Sequence, residues 1–135
     1  MVKQYRSREG EATAIDTKTQ LTTMGPDTAP GPLNVPQGFT KLLGCFVAAI
    51  GNGAATGAAS SFVRLEGGGL TDGPIVIAGP CMGGSVATGQ AIARPAMWYP
   101  LDVQVEPGNE IIIFGEFCGA DIGQMSFGVT LVFGA

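Results

Sequence analysis

The stretch Leu101-Asp102-Val103-Gln104-Val105-Glu106-Pro107-Gly108-Asn109-Glu110-Ile111-Ile112-Ile113-Phe114 decides the fold class. Leu101, Val103 and Val105 alternate with Asp102, Gln104 and Glu106, the period of a strand with one apolar and one wet face. Pro107 holds φ at about −65° and Gly108 supplies a positive φ, as the two central positions of a type II turn require. The run Ile111 to Phe114 is apolar at both parities, so the second strand is expected to be covered on both sides. Successive side chains point to opposite faces of a strand, which separates Ile111 and Ile113 from Ile112 and Phe114. Ile112 and Phe114 are expected to look outward and to be candidate subunit-interface residues.

The same reading extends in both directions. From Phe39 onward short apolar runs are punctuated by glycine-rich turns, which predicts strands near 41–50, 60–66, 74–79, 84–93, 97–106, 110–118 and 125–133. The last of these places Phe127, Val129, Leu131 and Phe133 on one face, the candidate core, and Ser126, Gly128 and Thr130 on the other. Only residues 42–59 hint at helical spacing, and their Gly and small residues leave room for one short helix at most. Upstream, Pro26, Pro30, Pro32 and Pro36 forbid regular helix and favour an extended path. Residues 1–35 are therefore expected to form an extended Pro-rich N-terminal arm, with Pro26, Pro30 and Pro32 as candidate contacts to a neighbour, and residues 36–135 the β-sandwich domain.

A chain of 135 residues has the size of one domain. Its residues are 45% apolar and 13% charged, against roughly 25% charged in ordinary soluble domains, which implies that part of its surface is covered by something other than water. The net charge of −4 resides in residues 31–135, where three basic residues face seven acidic ones. The acidic balance argues against nucleic acid as the main partner, and contact with it would run through Lys3, Arg6 and Arg8 of the arm. The N-terminus shows no secretory h-region, and the most apolar stretch, Leu42 to Ile50, is too short for a membrane span.

The sequence contains no histidine, which removes Ser-His-Asp and Cys-His nucleophile systems and most catalytic zinc sites. Gly67-Gly68-Gly69 lacks the context of a phosphate loop, and no calcium-binding repeat organises the carboxylates. No enzyme activity, metal or cofactor is expected. Cys45 and Cys118 lie in strand runs and are expected to be buried thiols, whereas Cys81 lies in the turn Gly79-Pro80-Cys81-Met82-Gly83 and is the candidate exposed thiol.

The Pro-rich arm, the compact low-charge domain, the Val105-Glu106-Pro107-Gly108-Asn109-Glu110-Ile111 turn and a final strand running almost to the end together resemble small jelly-roll structural proteins of icosahedral viruses. The resemblance covers layout and carries no diagnostic motif. It implies a single jelly-roll-type antiparallel β-sandwich, all-β, that packs against copies of itself and other shell proteins in a virion coat or decoration layer. The alternative is a lectin- or adhesin-like binding module on an extracellular surface or filament, with Trp98-Tyr99 and carboxylates contacting a sugar. Mass in solution separates the two, since the first expects large assemblies and the second a monomer or small oligomer.

Overall fold

The turn at 106–109 forms as its residues dictate: Gly108 has φ 83°, and the Asn109 N–H donates to the Glu106 carbonyl at 3.2 Å. A computed structural model describes this turn and the rest of residues 2–22, 31–52, 60–79, 91–118 and 124–135. Nine strands follow in order: β1 (Lys3–Ala12), β2 (Thr19–Gln20), β3 (Leu33–Asn34), β4 (Lys41–Asn52), β5 (Ser60–Glu66), β6 (Ile75–Ala78), β7 (Ala91–Gln104), β8 (Glu110–Cys118) and β9 (Gln124–Gly134). No helix occurs among the described residues, and the 42–52 stretch is strand.

One sheet has the order β1-β9-β4-β7, and the other β2-β8-β5-β6 with β3 also on β8. Every pairing is antiparallel, and the partners are nested: β1 with β9, β2 and β3 with β8, β4 with β7, β5 with β6. A long hairpin rolled up on itself produces this nesting, the winding of a jelly-roll-type sandwich. The strands flanking the 106–109 turn are consequently not partners. β7 belongs to one sheet and β8 to the other, so the turn carries the chain across the sandwich.

The core lies between the sheets and follows the period of two. Phe127, Val129, Leu131 and Phe133 of β9 are buried against Ile111, Ile113 and Phe117 of β8, Leu42, Cys45 and Val47 of β4, and Val63 and Leu65 of β5. Packing across the gap is complementary in size. A Cβ at Gly115 would lie 2.6 Å from the Phe127 ring, so the glycine makes the space that the ring occupies.

Three expectations are revised. Residues 1–35 are extended, but Lys3–Ala12 pairs along its whole length with β9 of the same chain, and Leu21, Leu33 and Val35 are buried in the common core. A boundary at 35/36 thus separates no two packed bodies. The reason is that a strand can be held by its backbone ladder, which polar composition does not betray. The expected strand over 84–93 lies outside the described residues except for 91–93, and these continue without a break into the strand expected at 97–106. Pro95 is accommodated because β7 is an edge strand and its register against β4 shifts there, between Val47 and Ala49. Finally, Cys118 is partly exposed rather than buried, because Phe117 takes the inward position and parity turns its neighbour outward.

Candidate interaction surface

The outer face of the four-stranded sheet is where the sequence and the solvent disagree most. Ser7 of β1, Thr130 of β9, Phe46 of β4 and Trp98 of β7 stand in one row across the sheet, and Tyr5, Val132, Gly44 and Pro100 in the next. Phe46, Trp98 and Tyr5 remain 38%, 42% and 56% exposed. The Phe46 and Trp98 rings are 4.9 Å apart at an interplanar angle of 49°, a tilted contact that holds both rings in place.

Small residues create this platform. A Cβ at Gly44 would collide with the Trp98 indole at 2.6 Å, so the missing side chain lets the indole lie against the sheet. Leu43 likewise lies over Gly134, where a Cβ would stand 2.9 Å from its side chain. Lys3, Tyr5, Phe46 and Trp98, with Val132 as the buried floor, enclose a shallow depression of about 460 Å³. Towards the other end of the same face β1 presents Glu9 and Glu11, while Ile50 of β4 is again exposed. The surface is therefore graded from aromatic and basic to acidic.

The opposite face of the sandwich differs in character. Ile112 and Phe114 point away from the core and are half-buried. Lys18 Nζ lies 4.5 Å from the centre of the Phe114 ring and 2.7 Å from Glu66 Oε2, and Arg64 Nε donates to Glu116 Oε1 at 2.8 Å. Part of the apolar excess of β8 is thus covered from within the chain by lysine and its partners.

The remaining sequence-derived candidates are scattered. Lys3, Arg6 and Arg8 do not form one basic patch, because parity divides them. Arg8 is buried and directs its guanidinium to the carbonyls of Gly31 (2.6 Å), Ser7 (2.8 Å) and Pro32 (3.1 Å), which tethers the segment after residue 30 to β1. Burial, then the neighbouring Arg6, lowers the Arg8 pKa below the usual arginine range. Pro32 is exposed beside this contact, whereas Pro26, Pro30 and Cys81 lie outside the described residues. Trp98 and Tyr99 face opposite sides of β7, Tyr99 packing on the core, so they cannot share one sugar platform. Among the described residues no group of three or more His, Cys, Asp or Glu could hold a metal ion, and no helix is long and apolar enough to cross a membrane.

No protein family matches the chain, and no curated protein matches it. Among solved structures it is similar to chains of infectious bursal disease virus. The Gx strain structure shares 12% identity at a TM-score of 0.48, and the Gt strain structure 14% at 0.41. Each alignment covers 97% of this chain and 32% of the other, so the chain spans 32% of the length of those it resembles. No site residue carries across at such identity. The all-β sandwich agrees at class level with the resemblance read from the sequence.

The aromatic surface was legible in part. The run Leu42 to Ile50 announces a strand, but that Phe46 lies outward follows only from the register shift between Leu42 and Gly44, which resets the parity of β4. Without that extra residue Phe46 would share the inward parity of Leu42.

Proposed function

We propose that this chain is a self-assembling structural subunit, a coat or decoration protein of a virion, whose copies meet through the aromatic face of the four-stranded sheet. The observation that carries this reading is the exposed set Tyr5, Phe46 and Trp98, pre-positioned on a sheet that is already complete beneath it. Rigid aromatic side chains held at the surface bury much apolar area with little loss of side-chain freedom, the pattern of an interface centre. The virion setting is supported by the class resemblance of the layout.

The test is the double variant Phe46→Ser with Trp98→Ser, followed by sedimentation and negative-stain microscopy. Both side chains lie outside the core, so the variant is expected to keep the wild-type circular dichroism and unfolding midpoint while large assemblies disappear. Assemblies of unchanged size would overturn the reading.

Ile112 and Phe114 are proposed as a second, weaker contact on the opposite face. Replacing both by Thr should leave the fold intact and reduce assembly severalfold, measured as the concentration at which assemblies appear. An unchanged threshold would remove this face from the contact surface.

A further inference from the structure

Four strand edges bound the two sheets, and three of them are blunted. β2 has two residues and β6 four. β7 contains Pro95 and Pro100, which donate no backbone hydrogen bond, and its register is interrupted twice. β1 is different. It runs ten residues without proline, pairs with β9 in unbroken register, and ends its sheet, so among the described residues no strand pairs with its other edge. An open edge of this length is a template for strand addition.

The side chains of β1 say which strand fits. Its outward residues are Lys3, Tyr5, Ser7, Glu9 and Glu11, all exposed, with opposite charges at the two ends. We infer that β1 pairs antiparallel with β1 of a second copy, about a two-fold axis at Ser7, so that Lys3 of each subunit stands opposite Glu11 of the other. This rests on the reading of the chain as a self-assembling subunit and names one of its contacts. Tyr5 then faces Glu9 of the second copy, and the two aromatic faces join into one surface eight strands wide.

The charge pattern excludes the alternatives. Parallel pairing in register would set Lys3 against Lys3 and Glu11 against Glu11. A two-fold axis normal to the sheet keeps side chains of one face opposite one another, so the nearest other antiparallel registers move the axis to Arg6 or to Arg8, and larger shifts pair fewer residues. The first puts two exposed Arg6 side chains face to face. The second brings Glu11 against Tyr5 and leaves Lys3 without a partner. With the axis at Ser7, Arg6 stands opposite Arg8, whose guanidinium is turned into its own subunit onto the Gly31, Ser7 and Pro32 carbonyls.

The experiment is a charge-reversal cycle on the full chain, with association followed by analytical ultracentrifugation. Lys3→Glu and Glu11→Lys each place two like-charged pairs across the axis and should weaken dimer formation about tenfold or more. The double variant restores opposite charges and should associate as the wild type does, a recovery that a merely structural defect would not show. Singles that associate normally, or a double variant that does not recover, would overturn the pairing. Assembly that requires Phe46 and Trp98 but ignores these charges removes the β1 contact alone, whereas a wild-type chain that stays monomeric removes the assembly reading and this contact with it.

Discussion

Replacing Phe117 by Ala is expected to remove about 3–5 kcal/mol of stability, a large share of the roughly 5–15 kcal/mol that holds a domain folded. Phe117 is fully buried on β8, opposite Ser61 of β5, and its carbonyl accepts the Asp16 N–H at 2.9 Å. The strand is central in its sheet, so the surrounding backbone cannot collapse into the space the ring leaves. In denaturant unfolding the midpoint should fall strongly with little change in slope. Phe114→Ala, three residues earlier on the outward face, should lose no more than about 1.5 kcal/mol, since its ring is only half-buried under Lys18. Equal losses at the two positions would mean that the faces of β8 are wrongly assigned.

Raising the pH is expected to destabilise the fold between about pH 9 and pH 12, and Cys45→Ala should flatten that decline. Burial without a compensating charge pushes the Cys45 thiol up from 9.0 to about 12. The folded state therefore keeps the proton that the unfolded state loses first. The stabilisation is complete below pH 9 and falls as pH rises towards 12, by about 4 kcal/mol if the whole gap of about three pH units is expressed. Unfolding midpoints measured at intervals from pH 7 to 11 check this, and a slope unchanged by the substitution would refute it. Thiol labelling gives a second readout. Cys118 is accessible, although its hydrogen bond to Asp16 raises its pKa, and it should react before Cys45, which waits for unfolding.

Composition and periodicity determined much of this molecule. That the residues of 110–118 and 124–134 divide into two faces was legible because side-chain alternation is a local property of an extended backbone: Ile111 and Ile113 cannot face away from the core together with Ile112 and Phe114. The turn at 106–109 was legible for a similar reason, since proline and glycine restrict φ at their own positions. β1 was not legible as part of the sheet. Its inward positions include Gln4, Arg6 and Arg8, and it is held chiefly by backbone pairing with β9, to which its composition contributes little.

Only the tertiary structure decided which strands are neighbours. β7 and β8 are joined by a tight turn yet belong to different sheets, and β1 lies beside β9 at the far end of the chain. Phe46 and Trp98 meet because the β4–β7 register sets them opposite each other, and the indole reaches over Gly44 because the missing side chain leaves it room. Such contacts depend on partners far away in the chain, whereas periodicity records only what each strand presents to its two faces. The sequence by itself therefore determined most strands after residue 40 and which of their residues share a face, and the closure of the sandwich decided which outward residues, Tyr5, Phe46 and Trp98, come together as one surface.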